Sequence, residues 1–173
     1  MQIEQRIPRV DEILGRWKRE LGEDAAAYRN HVYRVLHFCR TNDGEDREKL
    51  LIAAAFHDLG IWSDRTFDYL GPSIERARSY LTAEGLDRWS DEIAQLIALH
   101  HRLRSHEHPL VDDFRRADLI DVSCGLLRFT WPRAYVREVQ RHFPDRGFHL
   151  RLVQLTARWW MRHPLRPVPV LKW

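Results

Sequence analysis

Apolar residues recur every three or four positions along most of this chain, and no run alternates regularly enough to predict a β-strand. The spacing predicts a first helix over about residues 8–21, with Val10, Ile13, Leu14, Trp17 and Leu21 on one face, Pro8 near its start and Gly22 past its end. A second, over about 24–40, carries Tyr28, His31, Val32, Val35, Leu36 and Cys39 at helical spacing, which turns His31 inward. The third, over about 46–59, is apolar nearly all round from Leu50 to Phe56, the mark of a central buried helix. It ends at Gly60 and carries His57 and Asp58 in its last turn. A fourth covers about 73–84 and stops at Gly85. Ser90, Asp91 and Glu92 open a fifth, whose face is Ile93, Leu96, Ile97 and His100. On that helix His101 falls about 100° away from His100. The sixth, over about 112–125, places Phe114, Ala117, Asp118, Asp121 and Val122 on one side. Two further helices, about 132–143 and 148–162, read as structural, and the tail "HPLRPVPVLKW" contains too much proline to continue a helix. The expected fold is all-α, a single compact helical bundle, with a core at 24–125 followed by C-terminal helices and a proline-rich tail over 126–173.

A chain of 173 residues is long enough to bury a proper core in one domain. Its hydrophobic and charged fractions, 44% and 31%, are ordinary for a globular protein. No apolar run approaches the roughly 20 residues of a membrane span. The N-terminal stretch lacks the apolar region of a secretion signal, so a cytoplasmic location is expected and a membrane partner is not. Cys39 and Cys124 both fall on apolar stripes, as buried thiols would. A net charge of +3 from 28 basic and 25 acidic side chains gives nucleic-acid binding little support. Oligomeric state is left open.

The chemistry lies in the polar residues that the apolar stripes carry inward. A His-Asp dipeptide is expected about once by chance in a chain so rich in both, so "FHDLG" means little alone. Four helices, however, deliver His31, His57, Asp58, His100, Asp118 and Asp121 toward buried surfaces. Burying an unpaired carboxylate costs several kcal/mol or more, and a divalent cation would satisfy most of this set together. Two imidazoles with two carboxylates suit Mn, Fe, Co, Ni, Mg or Zn and leave positions open to water.

These residues resemble the HD-domain metal-dependent phosphohydrolases, whose pattern is a His, a later His-Asp pair and a distant Asp. Here it reads His31, His57 with Asp58, and Asp118 in "RADLIDVS". The resemblance covers about 24–125, and the chain is most similar to small bacterial proteins of that family in which an aromatic-acidic loop follows the pair. It implies an HD-domain helical bundle, one divalent metal ion held by His31, His57, Asp58 and Asp118, and hydrolysis of a small-molecule phosphate ester, with nucleotides as the substrate class.

Relatives place a lysine or a water-handling glutamate where this chain has Ile61, so Asp64 is the candidate proton acceptor, with a solvated loop residue as the alternative. His100 is expected to contact the substrate phosphate, with a core residue or a second-metal ligand as the alternatives, and Arg34 and Arg65 are further anion-binding candidates. Asp121 is expected behind the metal ligands, orienting an imidazole or pairing with an arginine. His101, His106 and His108 read as solvated. Ser73 stands where two-metal relatives carry a further histidine, which favours a single metal. Two other readings stay open: a metal- or nucleotide-binding regulatory module without turnover, and a hydratase or oxygenase on the same fold.

Overall fold

A computed structural model describes residues 3–41 and 43–162; the tail from residue 163 onward lies outside the described residues. It is all-α, with no strand among the described residues. The first two helices are α1 (Pro8–Arg16) and α2 (Lys18–Leu21), so the long first helix expected from the sequence breaks at Trp17. They are followed by α3 (Ala25–Phe38), α4 (Gly44–Phe56) and a short α5 (Gly60–Ser63). Then come α6 (Leu70–Ala83), α7 (Ser90–Leu99), α8 (Pro109–Val122), α9 (Arg133–His142) and α10 (Phe148–Arg162). No helix is long and apolar enough to cross a membrane among the described residues.

The centre of the bundle is α4, buried without interruption from Lys49 to Phe56. It packs against α1, α3, α6 and α7, while α3 and α7 each pack on α8. A helix surrounded on all sides has no solvent face, which is why its sequence shows no polar stripe. The chain leaves α4 through two tight turns, with Leu59 N–H donating to Phe56 O and Ile61 N–H to Asp58 O. His57 and Asp58 therefore sit just beyond the helix and remain buried. Gly60 is required here because a Cβ would lie 2.5 Å from Tyr69 O and 3.1 Å from Ser73 N. Its N–H donates to Ser73 Oγ at 3.0 Å, so Ser73 serves the α5–α6 junction. Cys39 is buried as expected, but Cys124 is exposed: α8 ends at Val122, and Cys124 turns into the left-handed region at φ 54°.

Candidate metal centre

Three imidazoles converge with their tautomers already fixed. His31, inside α3, donates Nδ1–H to Asp121 Oδ2 at 2.7 Å; His57 donates Nδ1–H to Ala54 O at 2.7 Å; His100, at the end of α7, donates Nδ1–H to Ile97 O at 2.7 Å. Each Nε2 lone pair is thereby left to point into a common space. His31 Nε2 and His57 Nε2 face each other at 2.9 Å. Two lone pairs at that distance repel unless a proton or a cation lies between them. Among the described residues, Asp58 Oδ1, Asp118 Oδ1 and His100 Nε2 are buried with no hydrogen-bond partner. Orphaned polar atoms this deep are rare in folded proteins and ask for an unrecorded partner.

The distances sort the donors into two sets. Asp58 Oδ2 lies 3.7 Å from His31 Nε2 and 3.4 Å from His57 Nε2; Asp118 Oδ1 lies 3.7 and 3.8 Å from the same atoms. Ligands about 2.0–2.2 Å from a shared ion lie roughly 3.3–3.6 Å apart at tetrahedral angles, so the spacing of each carboxylate from the two imidazoles is close to that of a coordination shell. The other oxygen of each carboxylate faces away. Asp58 Oδ1 is 3.4 Å from His100 Nε2, and Asp118 Oδ2 is 3.6 Å from His101 Nδ1. The buried groups can hold metal in overlapping triads: His31, His57 and Asp118; His57, Asp58 and His100; His100, His101 and Asp118.

Burial splits the titration of these groups. It lowers His57 to about 3 and raises Asp118 to about 6, while Asp58 is held well below the ordinary carboxylate range because His57 and His100 outweigh its own burial. Burial opposes a charged His100, but Asp58 and Asp118 prevail and raise it. Burial and the neighbouring His100 lower His101.

Behind the cluster, Asp121 accepts two hydrogen bonds from Arg34, at 2.5 and 2.9 Å, besides that from His31. Asp121 thus does both things expected of it, orienting a ligand imidazole and pairing with an arginine. Arg34 is 1% exposed and donates a third bond, from Nη1, to Phe143 O, so it is an internal brace and not the substrate-binding group anticipated from the sequence. Asp64 is also displaced from its expected role: it pairs with Arg76 at 2.9 Å and accepts from Ser63 Oγ at 2.6 Å. Ser63 and Arg76 hold its carboxyl below the ordinary range, which makes it a weak base. Arg65 lines a separate cavity with Ile61, Trp62, Arg151 and Arg158, and that lining includes none of the six cluster residues. His100, expected on the phosphate, stands among the metal-facing donors instead.

His101 was expected in solvent and belongs to the cluster. The helical angle does set it to one side of His100, but Asp118 and Tyr69 close over the flank it occupies, leaving its side chain 19% exposed. Tyr69 fixes it from behind, its hydroxyl 2.6 Å from His101 Nε2. The expectation of a single metal rested on a shortage of donors around α7, and His100 with His101 removes that shortage. Helix α10, expected to be structural, also contributes: Phe148 stacks on His31 with ring centroids 4.1 Å apart, and His149 Nε2 donates to Asp121 O at 2.8 Å. Nothing in the sequence singled these residues out beyond their place on an amphipathic helix.

The family model described as HD domain matches residues 9–123. The chain belongs to the HD-domain family. HD-domain proteins are mostly metal-dependent phosphohydrolases, and the buried histidines and aspartates fit a divalent metal. The match ends before α9 and α10, so those helices lie beyond the HD-domain match. No curated protein and no solved structure matches the chain.

Proposed function

We propose that this HD-domain protein is a metal-dependent phosphohydrolase that cleaves the ester bond of a small organic phosphate. The observation that carries the reading is the convergence of six donors, five buried and His101 half-buried, with Asp58 Oδ1, Asp118 Oδ1 and His100 Nε2 lacking partners, beside a cavity that Asp58 and His101 help to line. His31, His57, Asp58 Oδ2 and Asp118 Oδ1 would hold one divalent ion; His100, His101 and the opposite oxygens of the two carboxylates would hold a second. Bound there, the ions supply Lewis acidity toward the phosphoryl oxygens and a water acidified toward neutral pH. The protein's own part is to keep this arrangement rigid. Ala54 O, Ile97 O and Asp121 hold three imidazoles as Nδ1–H tautomers, Tyr69 holds the fourth, and Phe148 closes the cluster beside His31.

In the reaction a water oxygen bonds to phosphorus, the phosphorus–oxygen bond to the alcohol breaks, and the departing alcohol oxygen takes up a proton released by the water. With Asp64 engaged elsewhere, that proton passes through solvent or the groups of the cluster. The test is to strip the protein of metal, reload it with Mn²⁺, Co²⁺ or Mg²⁺, count bound metal and assay phosphate release across organic phosphates. The expected result is about two metals per chain and metal-dependent release, with His101→Ala retaining one metal. Failure to bind any divalent ion would sink the reading. Tight ligand binding without release would make the domain a regulatory module.

A further inference from the structure

The cavity over the metal centre has a chemistry that selects among phosphate esters. It encloses about 610 Å³, within the range of small-molecule sites, and Asp58 and His101 join it to the cluster. Its walls are Phe67, Tyr69, Leu152, Val153, Ala157 and Trp160. Among the described residues that line it there is no lysine or arginine. The cationic side chains nearby, Arg65, Arg151, Arg158 and Arg162, line a neighbouring cavity that shares Phe67 with this one and also includes Glu20, Glu23 and Asp24.

Three of the polar side chains in the lining already have partners. Thr156 Oγ1 donates to Leu152 O at 2.8 Å; His149 uses Nε2 on Asp121 O and Nδ1 on Asp145; the Tyr69 hydroxyl is bonded to His101. A nucleobase or a sugar presents several donors and acceptors, and each would be desolvated here without a counterpart. The additional phosphates of a nucleoside di- or triphosphate would meet described walls with no lysine or arginine. Meanwhile Val153 and Trp160 stand 65% and 60% exposed, apolar surface that an apolar ligand would cover.

We infer that the substrate is the phosphomonoester of an uncharged, apolar, ring-bearing alcohol, whose phosphate lies at the metal centre and whose ring lies against Trp160, Phe67 and Val153. This rests on the phosphohydrolase reading and departs from the nucleotides that the sequence resemblance suggested. Much of the apolar wall comes from α10, beyond the 9–123 family match, so the selectivity belongs to this chain and not to the HD domain in general.

The test compares 2-phenylethyl phosphate with glycerol 3-phosphate, AMP and ATP on the Mn²⁺-loaded protein; the first two leave as primary alcohols, which reduces the difference in leaving-group chemistry. In parallel, calorimetry measures binding of 3-phenylpropylphosphonate and 3,4-dihydroxybutylphosphonate, their non-hydrolysable counterparts. The expected preference for the ring is about tenfold or more in both kcat/KM and affinity, from apolar area removed from water. Trp160→Ala should reduce that preference by about tenfold, whereas Leu150→Ala, on α10 but outside the cavity lining, should leave it unchanged. Phosphate release that favours glycerol 3-phosphate or a nucleotide would overturn the apolar assignment and leave the hydrolase standing. Ring-selective phosphonate binding with no phosphate release would overturn hydrolysis and leave the pocket standing. Equal binding of both phosphonates with no release would overturn both.

Discussion

Replacing Asp121 by asparagine tests whether the support behind the cluster works as its geometry implies. The side chain keeps its shape and one carbonyl oxygen but loses the charge that faces Arg34 and His31. Arg34 is 1% exposed and donates two bonds to the Asp121 carboxylate, so the substitution leaves a guanidinium buried against a neutral amide. Breaking a buried pair costs about 3–5 kcal/mol, and the retained carbonyl places this case near about 3 kcal/mol. For a chain of this length, that corresponds to a fall in melting temperature of roughly 6–12 °C. The burial of Asp121 opposes ionisation, but His31 and Arg34 outweigh it and hold the carboxyl below its ordinary range. A depressed carboxyl stabilises the fold fully above its unfolded pKa of about 3.9 and loses that contribution as pH falls toward the folded value. The difference between wild type and Asp121→Asn should therefore be flat from pH 5 to 8 and shrink below pH 4. Metal affinity should fall about 10–100-fold, because His31 loses the partner that fixes its tautomer. Urea unfolding of the metal-free proteins and calorimetric titration with Mn²⁺ measure the two effects. Adding Arg34→Met to Asp121→Asn should restore much of the stability but not the metal affinity. A single mutant within about 0.5 kcal/mol of wild type, the ordinary range for uninvolved surface sites, would refute the reasoning.

Three further outcomes are expected. Asp118, raised to about 6 by burial, must lose its proton to accept metal, so apparent Mn²⁺ affinity should fall by up to about tenfold per pH unit as pH drops below about 6, read by calorimetry across pH. Tyr69→Phe removes the hydroxyl behind His101 and should lower the second metal's occupancy while leaving the first, as elemental analysis after dialysis would record; equal loss of both would place Tyr69 elsewhere in the network. Gly60→Ala sets a methyl group 2.5 Å from Tyr69 O and should destabilise the protein by about 2 kcal/mol or more, with some loss of metal affinity because Asp58 is two residues away; an unchanged unfolding midpoint would mean that the α5–α6 junction yields easily.

The sequence by itself determined the main helices, though not the break at Trp17 or α5, and it pointed to every residue of the cluster except His101. A period of 3.6 is a local property, so the inward turn of His31, Asp118 and Asp121 and the all-round burial of α4 followed from spacing alone. The same stripes delivered His57 with Asp58, the HD resemblance joined them to His31 and Asp118 as one set, and the structure places both imidazoles within 3.8 Å of each of the two carboxylates. What only the tertiary structure decided is what each group faces. Helical phase set His101 aside because the flank it occupies becomes interior only where Asp118 and Tyr69 close over it. Arg34 and Asp64 looked available for substrate because spacing does not reveal that Asp121 and Arg76 already hold them. The cavity walls come from the 67–69 loop and α10, brought together across more than 80 residues of chain by burial of Phe148 against His31. Such contacts are fixed by the closing of the core, where a pattern read along one helix carries no record of the helix packed against it.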